Sequence, residues 1–168
     1  IGNIGKAVTR RAKTFGMKVL GTDIIEIDHV FINESGIELT TLDILLSNSD
    51  FLSVNCDLNP TSEHLINALT LAQMKENAIL INTARGPIVD EIALIEALQA
   101  GKLGGAAMDV FEVEPLPEDS PLKKMDNVML APHNSNSSPA AWERVHWNTI
   151  KNLLDGLEID SSALKNDK

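Results

Sequence analysis

The stretch Ala78-Ile79-Leu80-Ile81-Asn82-Thr83-Ala84-Arg85-Gly86 is the strongest indication of the fold, because it joins an apolar run directly to a polar turn. Residues 78–82 have the continuous apolar character of a parallel strand that is buried on both faces. Sheets built from such strands bind ligands in the crevice beyond the carboxyl ends of the strands. Arg85, shortly after the predicted strand, is therefore a candidate ligand-binding residue.

Two more polar residues follow apolar runs in the same way. Glu114 comes after the run at 103–110, whose small residues allow close packing, and His133 follows the run at 128–130. Because the carboxyl ends of parallel strands converge on one crevice, we expect Arg85, Glu114 and His133 to lie together. An Arg clamps anions, a carboxylate stabilises a nearby imidazolium, and a His transfers protons near neutral pH. This trio suits redox chemistry on a small hydroxy or oxo acid.

Helical patterns alternate with apolar runs along the chain. This alternation predicts an α/β fold of the Rossmann type, in which a doubly wound parallel sheet is connected by right-handed crossovers. The predicted strands are 18–23, 51–55, 78–82, 103–110 and 128–130. The predicted helices are 6–15, 39–49, 69–75, one from Asp90 to a terminating Gly101, and one from the Ser138-Pro139 start to Gly156.

The last two helices each show an apolar face. In the first helix we expect the apolar face to point into the core, while Glu91 and Glu96 face outward. In the second helix we expect the apolar residues to lie on one side. The two tryptophans of the second helix, five positions apart, are interpreted as packing or interface residues rather than base-stacking platforms. The inward positions of the first helix are Ile92, Leu94, Ile95 and Leu98. The apolar side of the second helix carries Trp142, Val145, Ile150, Leu153 and Leu154, and the helix also contains Trp147.

The chain opens with Ile1-Gly2-Asn3-Ile4-Gly5, which matches the end of a dinucleotide-binding fingerprint. The fingerprint G-x-G-x-x-G follows a strand and opens a helix, and its glycines let the backbone approach the pyrophosphate. If Gly2 and Gly5 are its second and third glycines, the first glycine and the first strand are missing from this chain. We therefore expect an amino-terminally truncated domain in which Gly2, Asn3, Ile4 and Gly5 contact a cofactor.

Asp23 supplies the second part of the dinucleotide signal. It lies 18 residues after Gly5, at the end of the next predicted strand, where an acid bonds the ribose hydroxyls of NAD. A turn or helix-capping role is the alternative for this residue. An Asp here repels the additional phosphate of NADP, and Ile24 follows it with no Arg nearby, so we expect NAD as the cofactor.

Composition narrows the classes of partner and compartment. The 168 residues fit one domain, and a net charge of −10 disfavours nucleic acid and anionic membranes as partners. Cys56 is the one cysteine, so no disulfide framework is possible, and we expect a reducing, cytoplasmic location. No apolar run is long enough to span a bilayer. His29, His64 and His146 lack the spacing of metal ligands, so no metal is expected.

Several motifs, in order, carry a family resemblance. Over residues 1–156 the chain resembles the NAD-binding domain of the NAD-dependent D-isomer specific 2-hydroxyacid dehydrogenases, including the phosphoglycerate dehydrogenases. We therefore expect an NAD-binding domain at 1–156, incomplete at its amino terminus, and a polar tail at 157–168. The matching segments are 2–5, Asp23, 58–67, 81–86, 105–111, Glu114-Pro115 and Pro132-His133.

The resemblance implies a role for each member of the trio. His133 resembles the acid/base that exchanges a proton with the substrate oxygen, and Glu114 resembles its acidic partner. Glu112 is the local rival, but the family pattern places the acid directly before the proline, so Glu112 is interpreted as an ordinary loop carboxylate. Arg85 corresponds to the clamp on the substrate carboxylate. In the family these residues reduce a 2-oxo acid with NADH or run the reverse reaction.

The resemblance also implies which residues surround the cofactor. Asp109 resembles the acid beside the nicotinamide ring, although a cap or turn role is its alternative. Thr83 and Ala84 place backbone along the cofactor, and Cys56 lies near it as a small apolar group without the surroundings of a nucleophile. Arg85 and His133 complete this predicted set.

The same resemblance implies a second domain and a dimeric assembly. Family members insert the nucleotide-binding domain into a second, substrate-binding domain, which is largely absent from this chain. We therefore expect the 168-residue chain alone to be inactive while its parent protein turns over. The family's dimers pair through the nucleotide-binding domain, so a homodimer is expected.

Two departures from the family pattern affect specificity. Residues 134–137, Asn-Ser-Asn-Ser, are more polar than the small-residue run that usually follows the His, and Asp57 replaces a common proline. The substrate stays open among phosphoglycerate, lactate, glycerate and glyoxylate. Two other classes also stay open. One is a non-catalytic, dinucleotide-sensing corepressor on the same scaffold, and the other is a formate dehydrogenase, against which Glu114 counts because a glutamine is typical there.

Overall fold

The computed structural model describes residues 1–159. The chain forms two compact units, Ile1–Pro132 and His133–Lys168. The predicted domain limits at 1–156 and 157–168 stay a prediction, and most of that tail lies outside the described residues.

The described elements alternate between helix and strand, as predicted. The helices are α1 Asn3–Thr14, α2 His29–Ser35, α3 Leu42–Asn48, α4 Ala68–Gln73, α5 Glu91–Gln99 and α6 Pro139–Gly156. The strands are β1 Leu20–Gly21, β2 Glu38–Leu39, β3 Phe51–Val54, β4 Ile79–Asn82, β5 Gly105–Met108 and β6 Val128–Leu130. Short 3-10 helices cover Gly86–Ile88 and Pro121–Lys124.

The larger sheet sets the position of the predicted site. It has four strands in the order β3-β4-β5-β6, and all of its neighbouring pairs are parallel. Val54 pairs with Asn82, and Asn82 pairs with Met108, so β3, β4 and β5 end at the same level. Gly105 permits this spacing, because a Cβ there would lie 2.4 Å from the carbonyl oxygen of Asn127. The parallel α/β sheet predicted from the sequence is confirmed.

The smaller sheet consists of β1 and β2, which are also parallel and are separate from the four strands within residues 1–159. In a doubly wound order, the strand that leads into α1 lies between β1 and β3. The first strand expected from the fingerprint stays a prediction. The side chain of Ile1 contacts this region, since its methyl group would lie 2.6 Å from a Cβ on Gly21.

The segment between β1 and α3 contains two elements that the sequence analysis missed. Helix α2 is capped by the side chain of Asp28 and ends at Gly36, whose φ of 60° is left-handed. Phe31 is buried in a small core of its own under α1. Residues 38–39 form β2, so the predicted helical start at 39 was wrong: Thr41 caps α3 instead. Seven-residue helices and two-residue strands carry too little periodicity to be detected in a sequence.

The predicted inward face of α5 was partly wrong. Leu94 and Leu98 are buried as expected, but Ile92 is 69% exposed and Ala93 is buried in its place. Glu91, which was predicted to face outward, is half-buried. The helix is rotated because Asp90 caps it and Glu91 is bonded to another loop. The contacts at the amino end of α5, rather than its apolar periodicity, therefore determine which of its side chains face the core.

Helix α6 begins at Ser138-Pro139 and ends at Gly156, as predicted from its capping residues. The hydroxyl of Ser138 accepts a hydrogen bond from the backbone N–H of Ala141. None of its residues is buried within the described chain, and Trp142 contacts the ring of His146 edge-on. Neither α6 nor another helix among residues 1–159 is long and apolar enough to cross a membrane.

We predict that two neighbouring aliphatic residues of α5 differ sharply in their effect on stability. Leu94→Ala removes a fully buried side chain and should lower the free energy of unfolding by about 2–5 kcal/mol. Ile92→Ala, the control in the same helix, should change it by less than about 0.5 kcal/mol. Urea unfolding followed by circular dichroism measures both. Equal losses for the two variants would contradict the observed orientation of α5.

Candidate active site

The turn after β4 is shaped by a buried amide. Asn82 is fully buried; its side-chain N–H donates to the carbonyl of Arg85 at 2.9 Å and its side-chain oxygen accepts from the N–H of Ala84 at 3.0 Å. Its backbone carbonyl accepts from the N–H of Asp109 at 3.0 Å, which ties the end of β4 to the end of β5. Arg85 therefore leaves the sheet from a fixed turn.

A cavity of about 400 Å³ opens beyond the carboxyl ends of β3 and β4. It brings together five residues predicted to bind cofactor or substrate, and it adds four that the prediction omitted. The predicted residues are Ile4, Cys56, Thr83, Ala84 and Arg85, and the additional ones are Val54, Asn55, Asp57 and Leu58. Val54 is the last residue of β3 and the other three come shortly after it, so the strand-end rule that identified Arg85 could have found them.

The two reactive side chains in this cavity differ in their chemistry. Arg85 donates from Nη1 to the carbonyl of Ala84 at 2.6 Å and is exposed. Desolvation raises the pKa of the Cys56 thiol above its usual value, which favours the neutral thiol. A neutral thiol is a poor nucleophile, whereas a guanidinium stays charged and binds carboxylates. The cavity is therefore suited to anion binding at Arg85.

The loop that carries Glu114 touches the turn that carries Arg85. A Cβ on Gly86 would lie 1.9 Å from the carbonyl oxygen of Phe111, so only glycine allows this approach of the two backbones. The carboxylate of Glu114 accepts a hydrogen bond from the N–H of Phe111 at 3.0 Å. The structure thus holds two members of the predicted trio on adjoining segments.

His133 begins the second compact unit, and its backbone has a left-handed φ of 53°. Such a φ is uncommon for a residue other than glycine, and residues with strained backbones cluster at active sites and ligand-binding sites. The pairing of His133 with Glu114 stays a prediction.

The fingerprint residues lie at the start of α1. Gly2 is the N-cap residue, and nothing lies within 4 Å of a Cβ placed on it. Gly5 is buried and faces Asn55 at the end of β3. The open amino end of α1 and its positive helix dipole fit a phosphate group.

The other two predicted cofactor residues follow strand ends. Asp23 comes after β1, where its carboxylate contacts the amino group of Ile1 and accepts from the N–H of Ile25 at 3.2 Å. It therefore makes the turn contact of the alternative interpretation, and its role toward the ribose stays a prediction. Asp109 follows β5 and is 4% exposed. Its role beside the nicotinamide also stays a prediction.

Glu112 is not the ordinary loop carboxylate that the sequence suggested. Its Oε1 accepts from the N–H of Glu91 at 3.0 Å and lies 3.0 Å from Nε2 of His64. Its own N–H donates to Glu91 Oε2 at 3.2 Å. Desolvation, followed by repulsion from Glu112, raises the pKa of Glu91 above its usual value. These partners are distant in sequence, so no local pattern indicated the contact.

Metal ligation was not expected, and residues 1–159 contain no group of three or more His, Cys, Asp or Glu side chains arranged to hold an ion.

The parallel sheet, the glycine-bearing start of α1 and the cavity beyond the strand ends define an α/β dinucleotide-binding domain. The family profile of the D-isomer specific 2-hydroxyacid dehydrogenase, NAD binding domain, matches residues 1–135. The chain therefore belongs to this family, whose cofactor is NAD. The resemblance stated from its motifs is confirmed.

Similar proteins place this domain in larger enzymes. Glyoxylate reductase of Korarchaeum cryptofilum is 45% identical over 154 residues, covering 92% of this chain and 46% of the relative. D-3-phosphoglycerate dehydrogenase of Methanocaldococcus jannaschii is 43% identical, covering 84% and 27%. The apo crystal structure of Rhodotorula graminis D-mandelate dehydrogenase matches with a TM-score of 0.85 at 32% identity, covering 92% and 45%. The chain spans less than half the length of each.

The raised pKa of Glu91 generates a prediction about stability and pH. A carboxyl whose pKa is higher in the folded than in the unfolded protein binds its proton more tightly when folded, so stability is gained as pH falls through that pKa. Glu91→Gln lacks this titration and keeps an oxygen acceptor for Glu112. The variant should therefore be at least as stable as wild type at neutral pH and lose that advantage toward about pH 4.

Urea unfolding at a series of pH values measures this difference. Glu96→Gln, at an exposed position of the same helix, is the matched control and should show no such trend. If Glu91→Gln is clearly less stable than wild type at neutral pH, the ionised carboxylate stabilises the fold and the inferred effect of burial is wrong.

Proposed function

We propose that the protein containing this domain is an oxidoreductase that transfers a hydride between NAD(H) and a 2-hydroxy or 2-oxo acid. The observation that carries the proposal is the cavity that both Arg85 and Ile4 of the fingerprint line. A carboxylate-binding cation and a dinucleotide-binding backbone then open onto the same space. Family membership supports the same reaction.

The chain's residues supply binding and proton transfer. Arg85 binds the substrate carboxylate through its planar fork and orients the carbonyl carbon. NADH, when bound, supplies the hydride to that carbon. His133 donates a proton to the carbonyl oxygen, and Glu114 stabilises the protonated imidazole. In the oxidation direction His133 accepts the hydroxyl proton instead.

The cofactor is held by residues from successive strand ends. Gly2, Asn3, Ile4 and Gly5 accommodate the pyrophosphate at the start of α1, where a helix dipole favours negative charge. Asp23 accepts hydrogen bonds from the adenosine ribose. The nicotinamide end is bordered by Cys56, Thr83, Ala84, Arg85, Asp109 and His133.

The substrate class is a short 2-oxo acid, with glyoxylate as the first candidate. This choice rests on the 45% identity to a glyoxylate reductase, while the 43% identity to a phosphoglycerate dehydrogenase makes a phosphorylated acid the second. Substrate selection also depends on the second domain of such enzymes. We infer that the 168-residue chain alone does not turn over, and that the whole protein is a cytoplasmic homodimer paired through this domain.

The proposal predicts large losses of turnover in variants of the complete gene product. His133→Ala should lower kcat for 2-oxo acid reduction by about 10²–10⁴-fold, because a positioned acid is lost. Arg85→Lys keeps the charge but loses the fork, so it should raise KM for the oxo acid more than KM for NADH. NADH oxidation is followed with glyoxylate, hydroxypyruvate, pyruvate and phosphohydroxypyruvate.

His146→Ala is the control, since this His lies on exposed α6 and has no proposed role in the reaction. Full activity of His133→Ala would remove His133 from the mechanism. NADH binding without reduction of any of these acids would favour the dinucleotide-sensing alternative.

Asp23 generates a separate prediction about cofactor choice. Wild type should bind NADH more tightly than NADPH, because the carboxylate repels the ribose phosphate of NADPH. Asp23→Ser should weaken NADH binding. It should also lower the ratio of NADH affinity to NADPH affinity by about tenfold or more, because one charge repulsion is removed. Titration of NADH and NADPH fluorescence measures both constants. An unchanged preference would assign Asp23 to the turn alone.

A further inference from the structure

His64 joins two segments that flank the cavity turn. It lies in the loop between β3 and α4, and its backbone φ of 47° is left-handed. Its N–H donates to the carbonyl of Pro87 at 2.8 Å, directly after the Arg85-Gly86 turn. Its Nε2 lies 3.0 Å from Oε1 of Glu112, in the loop that carries Glu114. One residue thus contacts the Arg85 side by its backbone and the Glu114 side by its imidazole.

Glu112 receives this contact within a small network. The Oε1 that faces His64 also accepts from the N–H of Glu91, the first residue of α5. Glu91 returns a bond, because its Oε2 accepts from the N–H of Glu112 at 3.2 Å. The two glutamates therefore bridge the loop and the helix, and the imidazole of His64 donates to the carboxylate of Glu112. A carboxylate at a helix amino end with two donors is well held.

The network acts on a loop whose geometry is already constrained. Phe111 touches the backbone at Gly86, and its N–H donates to the carboxylate of Glu114. Glu112 lies between Phe111 and Glu114 in the chain, so its hydrogen bonds restrain the segment that carries Glu114. A left-handed φ costs free energy for any residue that carries a side chain. The contacts of His64 must therefore offset that cost.

We propose that His64 is a positioning residue that holds the Glu114-bearing loop, residues 111–114, against the Arg85 turn through its contact with Glu112. This inference rests on the proposed function for its effect on turnover, while the holding itself is independent of the reaction. His64 touches neither cofactor nor substrate in this proposal. It acts by keeping Glu114 within the short distances that proton transfer requires.

The test uses the complete gene product and measures both the loop and the reaction. His64→Ala should speed hydrogen–deuterium exchange across residues 111–114 and lower kcat about 10-fold to 100-fold, the loss that a displacement near 1 Å can cause. The dissociation constant for NADH should stay within about twofold of wild type. His64→Gln keeps an N–H near the position of Nε2 and should restore most of the exchange protection and of kcat.

Two further variants separate positioning from general damage to the fold. Glu112→Ala should have an effect at least as large as His64→Ala, and the double variant should lose no more than Glu112→Ala, because both act through one contact. His29→Ala is the matched control, since His29 forms a similar but highly exposed pair with Glu26 and should change nothing.

Each outcome bears on one proposal. Unchanged exchange at 111–114 in His64→Ala overturns the positioning role, whether or not the protein is active. Equal losses in His64→Gln and His64→Ala, or additive losses in the double variant, also overturn it. If wild type reduces no oxo acid but His64→Ala loosens the loop, the positioning role stands and the proposed reaction fails.

Discussion

The buried side chain of Asn82 is the constraint on which the rest of the site depends. An amide without water must have its hydrogen bonds met inside the protein, and here they are met by the backbone of Ala84 and Arg85. The turn can therefore adopt few other conformations. Because Asn82 also accepts from Asp109, the ends of two strands are fixed together. The turn held by Asn82 also lines the cavity beyond β3 and β4, through Thr83, Ala84 and Arg85.

A second constraint is the approach of backbones from different βα units. At Gly86 the turn after β4 lies against Phe111, which follows β5, and a side chain at Gly86 would separate them. Contacts among His64, Glu91 and Glu112 also connect the loop after β5 to the start of α5 and to the loop after β3. The site is thus assembled by main-chain contacts and charge-assisted hydrogen bonds. Its attraction for anions comes from a few nearby groups and not from the charge of the whole chain. With a net charge of −10, long-range attraction of anions is weak, so Arg85 and the start of α1 must act at short range.

Much of the fold could be predicted from residue patterns. The strand at Val128–Leu130, the capped start of α6 and the left-handed Gly101 all agree with the structure. Their signals are local: an apolar run, a Ser-Pro pair and a glycine after a helix. Elements as short as β2 lack such signals and were missed. Ile92 was wrongly placed inside, because the amino end of α5 is oriented by its bonds to a distant loop rather than by its own apolar periodicity.

Local patterns of residues were enough to predict the alternation of strands and helices, the polar residues at the strand ends and the family motifs. These properties depend on periodicity and on the chemistry of neighbouring residues, which a linear pattern contains. Only the folded chain shows which strand ends share a cavity, how closely Gly86 approaches Phe111, and that His64 contacts Glu112, which is 48 positions away. Such contacts depend on strand register and on the packing of backbones distant in sequence. No local pattern records them, because their geometry exists only once the sheet has formed.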